Sequence, residues 1–340
     1  MIQSAGDHAP ITAGAKTPVS KPVMAATSQL RPMLEAQQAS LSGIFAQVQT
    51  VSAAAAVGSV TLSEPLKQVM EQILGLRLGG SVGSGSVQGS ELARAVKGSG
   101  IFKEAAQAAS GKVEAGDLKM LLGQLRGLLA GLGVKAAQSR PLTSPPVPSL
   151  VSGPKGQGAS TSRSSQSAGQ TAMTGQDLLG KLMQDTDSAL ARIRLTQLVN
   201  RGLGGDDGPA MQASQGRPMD TVLELPLAVG QETAIMQMQI GRDPEHDTGE
   251  DDEGKAWRLR FGLDLTATGP FEAAISLRGG STFVSLWMER EDTYQNIGSQ
   301  RETIEAAFAD AGLDLQELRF IRGLPVRMHA AAGAQVDRQS

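Results

Sequence analysis

Residues 257–265 read WRLRFGLDL, an unbroken alternation of apolar residues with charged residues or glycine. A period of two places every second side chain on the same side of a strand. The stretch therefore predicts a β-strand with one apolar face, and the segments on either side of it show what that face packs against.

The flanking segments predict further strands and one helix. Two strands precede it, and a turn at Gly269-Pro270 follows it. A tight hairpin at Gly279-Gly280 joins the next two strands, the second of which is apolar on both faces. Asp292 and Gln295 have the spacing of a capping box and predict one helix that ends at Gly312. The predicted strands cover residues 222–227, 233–240, 271–277, 282–289 and 315–321. The fold class expected at residues 217–326 is a compact α+β domain, with antiparallel strands and one packed helix.

Aromatic residues are concentrated in the same region. The chain of 340 residues has ten, and eight of them follow position 256. Aromatic side chains supply much of the apolar area of a core. We therefore expect an ordinary core in the C-terminal third and not in most of the remainder, which excludes a globular enzyme of 340 residues. Trp287 and Tyr294 are candidates for interface anchors, with core packing as the alternative.

The first 216 residues predict a mostly disordered half with short, marginal helices. Pro, Ser and Gly interrupt the apolar patterns, and each glycine inside a helix costs up to ~1 kcal/mol. The predicted divisions are a disordered region with a possible short helix at 1–62, a small helical region at 63–132, a linker at 133–176, a helix at 177–201, a second linker at 202–216 and a disordered tail at 327–340.

The residue types give no support for catalysis or for a bound cofactor. The chain has no cysteine, and its three histidines lie in segments without a neighbouring acid–base pair. The acidic loop at 243–253 lacks the spacing of a calcium-binding loop. A hydrolase built on Asp264, Glu272 and Glu289 is disfavoured, because the pattern directs the first two away from the core. We expect no metal and no cofactor.

Charge divides along the chain and indicates the kind of partner. Residues 1–216 carry 19 Lys and Arg against 13 Asp and Glu, whereas residues 217–340 carry 12 against 21. The basic half has no cluster interleaved with aromatics, so nucleic-acid binding is not expected. An acidic C-terminal domain suits a basic protein partner. No run of 18 apolar residues predicts a membrane span, and residues 1–22 lack the pattern of a cleavable secretory signal.

Three motifs carry a resemblance to a known family. They are GPFEAAISL at 269–277, FVSLWMER at 283–290 and the helix ending Ala311-Gly312-Leu313. Together they resemble the C-terminal domain of flagellar hook-length control proteins over residues 256–325, with weaker similarity near 90–132 and 176–200. The order of a long, aromatic-poor N-terminal part and a compact C-terminal domain is similar as well.

The resemblance implies a protein that is not an enzyme. Such proteins are exported through the flagellar type III apparatus from the cytoplasm, act as a ruler or timer during hook assembly, and switch export from rod and hook to filament substrates. The implied partners are the cytoplasmic domain of the export-gate switch protein and, during export, hook and hook-cap subunits. We expect a monomer. Residues 1–215 would span about 700–770 Å fully extended.

The resemblance also indicates a partner surface on the first hairpin and at the helix end. Its expected residues are Gly269, Pro270, Phe271, Ile275, Leu277, Gly312 and Leu313. The alternative is that all seven only maintain the fold. Two other functions stay open: a secreted or cytoplasmic adaptor with a linker-tethered α+β module, and a structural hook or cap subunit. The second is disfavoured by a C-terminal tail without a coiled-coil pattern.

Overall fold

A computed structural model of the chain describes residues 30–80, 89–101, 116–136, 174–201, 220–230, 232–242 and 256–325. The linker predicted at 202–216 and the tail predicted at 327–340 lie outside these residues, as do residues 1–29 of the region predicted at 1–62, residues 137–173 of the linker predicted at 133–176, and the acidic loop. Residues 30–37 are helical. The elements that follow are α1 (Leu41–Ala56), α2 (Glu64–Gly75), β1 (Leu78–Gly80), α3 (Gly89–Gly98), α4 (Leu118–Gly131), α5 (Gly175–Asn200), β2 (Thr221–Val229), β3 (Glu232–Arg242), β4 (Trp257–Leu265), β5 (Gly269–Arg278), β6 (Ser281–Met288), α6 (Glu291–Ser299), α7 (Arg301–Asp310) and β7 (Asp314–Arg322).

The strands form one mixed sheet in chain order from β1 to β7. The four pairs from β2 to β6 are antiparallel, as expected. The two outer pairs, β1 with β2 and β6 with β7, are parallel. A parallel neighbour requires a crossover, and α6 and α7 provide it between β6 and β7. The α+β class is confirmed, and the parallel edge strands are the departure from the expected antiparallel arrangement.

The helix before β7 differs from its prediction in two respects. The capping box of Asp292 and Gln295 is wrong: the N-cap is Arg290, so the helix begins two residues earlier than predicted, and the Asp292 carboxylate accepts a bond from the neighbouring Thr293 N–H. Gln295 donates instead to Glu291 at 2.8 Å. The single helix is also two helices that meet at Gln300. Gly298 and Ser299, both weaker helix formers than alanine, precede this break.

The described N-terminal helices share a substantial core. Helices α1, α2, α4 and α5 pack together around aliphatic side chains, with Phe45 as the one aromatic residue in the cluster. Its members with the lowest exposure are Ile44, Phe45, Val48, Val51, Leu66, Met70, Ile73, Leu118, Leu122, Leu125, Leu129 and Leu182. Aromatic content was therefore a poor guide to this region, because leucines at helical spacing supply the apolar area instead.

Side-chain caps fix the start of two of these helices. The Asp117 carboxylate accepts a bond from Met120 N at 2.7 Å at the start of α4. Thr174 and Asp177 form a reciprocal capping box at the start of α5. Caps of this kind satisfy backbone N–H groups that have no partner within the helix.

A buried ion pair joins this helical bundle to the sheet. Arg192 of α5 donates from Nη2 and Nε to the two carboxylate oxygens of Glu224 on β2, at 2.7 and 3.1 Å. Its Nη1 donates to Gln38 at 2.7 Å, and Gln237 of β3 donates to Glu224 at 3.2 Å. The exposure of the Arg192 and Glu224 side chains is 3% and 5%. Helix α5 is thus fixed to β2 by a bidentate, fully enclosed pair.

The sheet has two faces, and each face has a β1–β3 end and a β4–β7 end. Described helices pack on both ends of the first face and on the β1–β3 end of the second face. On the first face, α3 packs over the β1–β3 end, and α6 with α7 packs over β5–β7. On the second face, Ile235 of β3 packs against the bundle and Glu224 pairs with α5. Among the described elements, the main helix contacts of β4–β7 are made by α6 and α7, which pack on the first face.

Candidate functional site

The loop between β4 and β5 is held from one side by Arg290. This residue lies two positions after the end of β6 and directly before α6, and its Nη1 donates to the carbonyl oxygens of Thr266 and Ala267 at 3.1 and 3.0 Å. Thr293 of α6 donates its hydroxyl to Thr268 O at 2.7 Å. All three loop carbonyls are therefore bonded to side chains at the start of α6, which holds the turn to this end of the sheet.

Gly269 is required at this turn for two reasons. Its φ is +71°, in the left-handed region that residues with a Cβ avoid. A Cβ built there would lie 2.7 Å from Nε and 3.0 Å from Cδ of Arg290. A side chain at 269 would thus displace the arginine that bonds the loop.

We predict that Gly269→Ala lowers the free energy of unfolding by about 2–3 kcal/mol, because it combines left-handed strain with loss of the Arg290 bonds. The matched control is Gly279→Ala, which has a φ of +54° but open space around its Cβ. Its expected cost is about 1 kcal/mol from strain alone. Urea unfolding followed by tryptophan fluorescence measures both. Equal losses would show that the contact with Arg290 contributes nothing.

Three carboxyl groups have shifted pKa values: Asp264 and Glu291 near the turn, and Asp177 at the start of α5. Burial raises the pKa of the Asp264 carboxyl, a raise that the Arg290 charge opposes and the Glu289 charge reinforces. Hydrogen bonds from Gln295 and Arg322 lower the pKa of Glu291. In the α5 cap, the Thr174 hydroxyl lowers the pKa of Asp177. These shifts follow from packing and capping, and they pair no acid with a base or a nucleophile.

The predicted partner residues fall into two separate groups. Gly269 and Pro270 lie at the turn, whereas Gly312 and Leu313 lie at the end of α7, next to the start of β7. Asp314 pairs with Ser281 at the opposite end of β6. Because β5 is ten residues long and each adds ~3.3 Å, the groups are about 30 Å apart. The structure does not bring the seven residues together.

Phe271 and Ile275 lie on the first face of the sheet and pack against the core beneath α6 and α7. Leu277 shares that face by its register with Trp257 and Thr282. Gly312, with a φ of +72°, ends α7 with a bond from its N–H to Ala309 O, while Leu313 N–H bonds Phe308 O. These placements favour a structural role for Phe271, Ile275 and Gly312. Tyr294 also packs against this core.

A shallow groove of about 470 Å³ lies between α7 and β7, and Leu313 lines it. Arg301 crosses it, donating to Leu318 O at 3.1 Å while its guanidinium stacks 4.7 Å from the ring centre of Phe320. The edge strand β7 is therefore partly obstructed, and its register with β6 is interrupted between Thr282 and Phe283. Such irregularities hinder the addition of another strand.

The second face of β4–β7, here called the open face, combines apolar, small and arginine side chains. Register places Phe283 beside Ser276 and Glu317, and Trp287 beside Glu272 and Ile321. Ala274 and Ser285 occupy the centre. The open face comprises Arg258, Arg260, Gly262, Glu272, Ala274, Ser276, Phe283, Ser285, Trp287, Glu317, Arg319 and Ile321, with Asp264 and Pro270 at one end and Arg278, Ser281 and Asp314 at the other. Residues 282–289 are apolar on both sides of the strand, and this pattern is the sequence signal for the surface.

In the part of the chain that the structure describes, no three His, Cys, Asp or Glu side chains come together as a metal site. None of the helices described has the length and apolar character needed to cross a bilayer.

The segment with the open face and the Gly-Pro turn also carries the similarity to known proteins. Residues 247–325 match the family model of the flagellar hook-length control protein FliK. The matched segment includes β4–β7, α6 and α7, in agreement with the resemblance carried by the three motifs. No curated protein and no solved structure matches the chain. Strands β1–β3 and the helical bundle lie outside the matched segment, although the sheet continues through them without interruption.

Proposed function

We propose that the chain controls flagellar hook length, as an exported ruler or timer whose C-terminal domain switches type III export from rod and hook to filament substrates. The observation that carries this proposal is the match of residues 247–325 to the hook-length control family. The arrangement of the segment agrees with it: the turn and helix ends have structural roles, and its shifted carboxyl groups are explained by burial and hydrogen bonds. The proposed partner is the cytoplasmic domain of the export-gate switch protein, with hook and hook-cap subunits contacted during export.

Deletion of the gene tests this proposal. We expect overlong hooks without filaments, and loss of swimming, because export would continue with hook subunits. Electron microscopy of isolated hook–basal bodies measures hook length, and the full chain supplied from a plasmid should restore it. Normal hooks and normal motility in the deletion strain would exclude hook-length control and favour an adaptor.

The ruler part of the proposal predicts that chain length sets hook length. Removing residues 137–173 takes away about 120–130 Å of extended chain, and it leaves Thr174, the cap of α5, in place. Hooks should shorten in this variant and lengthen when the segment is duplicated. The matched control replaces residues 137–173 by a scrambled sequence of equal length and should leave hooks unchanged. Unaltered hooks in all variants would favour a timer.

A further inference from the structure

We propose that the open face binds an amphipathic helix of the switching partner, with an apolar stripe flanked by carboxylates. This inference rests on the proposed function and assigns its contact surface. The surface differs from the seven residues that the resemblance indicated, because the structure divides those between two ends of the sheet and turns Phe271 and Ile275 toward the core.

The shape of the open face suits a helix. Phe283 and Trp287 project from β6 on either side of Ser285, about 13 Å apart along the strand. The small side chains of Ser285 and Ala274 lie between them, so a helix 10–12 Å in diameter (approximately) fits over the centre. Phe283 is 37% exposed, an unusual state for a large aromatic side chain. Exposed aromatics beside arginines are typical of interface anchors.

The charge of the open face indicates carboxylates on the partner, in contrast to the basic partner expected from the overall charge of residues 217–340. Three of its arginines are more exposed than the carboxylates they pair with: the side-chain exposure is 40% against 19% for Arg258 and Asp220, and 62% against 41% for Arg319 and Glu317. Arg260 and Glu272 show the same order, at 28% against 7%. An approaching molecule therefore meets guanidinium groups first, and these bind carboxylates with two parallel bonds.

Continuity with an existing interface favours a helix over other occupants. The same face of the sheet, one strand further along, is already covered by α1 and α5 of this chain. That contact combines an apolar residue, Ile235, with an arginine–carboxylate pair, and the open face offers the same combination. Addition of a strand is disfavoured, since Arg301 bonds the backbone of Leu318 on the edge of the sheet.

The test compares two variants of the full chain that each add one negative charge at an exposed position. Phe283→Asp changes a residue of the open face, and Ala306→Asp changes an exposed residue of α7, which packs on the first face of the sheet. Binding to the purified cytoplasmic domain of the export-gate switch protein is measured by titration calorimetry. We expect Kd to rise at least tenfold for Phe283→Asp and to stay unchanged for Ala306→Asp. Arg319→Glu, at a side chain 62% exposed, provides a second variant that leaves the fold intact and should also weaken binding.

Photocrosslinking identifies the occupant. A benzophenone amino acid at position 283 should crosslink to a helix of the partner, whereas one at position 306 should give no crosslink. Wild-type affinity in both Phe283→Asp and Arg319→Glu, or crosslinks to a strand or loop, would overturn the open face as a helix site and leave the proposed function standing. Failure of the wild-type chain to bind would instead refute the proposed partner, and this inference with it.

Discussion

Arg192→Ala lowers the free energy of unfolding by about 3–5 kcal/mol, the range expected when one partner of a buried ion pair is removed. The substitution leaves the Glu224 carboxylate enclosed at 5% exposure with only Gln237 donating to it among the bonds described above. It also removes the donor to Gln38. Because the pair joins α5 to β2, the loss affects both the bundle and the sheet.

Urea unfolding followed by circular dichroism and by tryptophan fluorescence measures the effect. Both tryptophans lie in the sheet, whereas circular dichroism at 222 nm is dominated by the helices. Arg126→Ala is the matched control, because Arg126 pairs with Asp187, also on α5, at 2.6 Å but at the surface. Arg126→Ala should lower the free energy of unfolding by about 0–1 kcal/mol. Equal losses in the two variants would show that burial of the Arg192 pair has no energetic consequence.

Replacing both partners tests the same pair from the other direction. Arg192→Met with Glu224→Leu removes both charges and keeps approximately the volume, so no enclosed charge is left alone. Exchanges of this type are often neutral or stabilising. The double variant should therefore be more stable than Arg192→Ala, although it differs from the natural chain at one more position.

Leu122→Ala lowers the free energy of unfolding by about 3–5 kcal/mol, since it removes a fully buried side chain and leaves a cavity. Leu122 lies at the centre of the bundle core on α4 and is 0% exposed. Leu132 directly follows the same helix and is 54% exposed. Leu132→Ala is therefore the control, with an expected change within about 0.5 kcal/mol. Thermal unfolding followed at 222 nm measures both, and similar melting temperatures would mean that the bundle does not fold around this core.

The elements with strong periodicity were predictable from the sequence. The alternation at 257–265 coincides with β4, and the two glycines of the second hairpin both have positive φ, as a tight turn requires. The bounds of α5 were also close to the prediction of residues 177–201. In these segments a local pattern and the tertiary environment impose the same structure, so no information from distant residues is needed.

Features that depend on distant partners were not predictable. Strand β1 has three residues, two of them glycine, within the small helical region predicted at 63–132, and its pairing with Leu227–Val229 depends on residues almost 150 positions away. Arg192 resembles an ordinary surface charge until its position is compared with Ala189 and Leu195, three residues away on the buried side of α5. An arginine at such a position needs a partner, but the sequence alone does not identify Glu224.

The candidate site was predictable only in part. The Gly-Pro turn was located correctly, but its dependence on Arg290 was not, because the arginine is 21 positions further along the chain. Two of the proposed contact residues, Phe271 and Ile275, proved to face the core. The open face could be anticipated from the apolar residues on both sides of β6, whereas the packing of α6 and α7 on the first face is a property of the tertiary arrangement.

The parallel pairing of β1 with β2 has a consequence for the ruler part of the proposed function. Leu78–Gly80 lie beside Leu227–Val229, so the polypeptide between them leaves the sheet and returns to its starting point. Residues added at 137–173 lengthen the polypeptide between β1 and β2, but the distance between these two paired strands stays the same. While β1 and β2 remain paired, the number of residues between them therefore does not change the distance between their paired ends. A chain that reports its length through this segment does so only after β1 has separated from β2, when every inserted residue adds ~3.3–3.6 Å of reach.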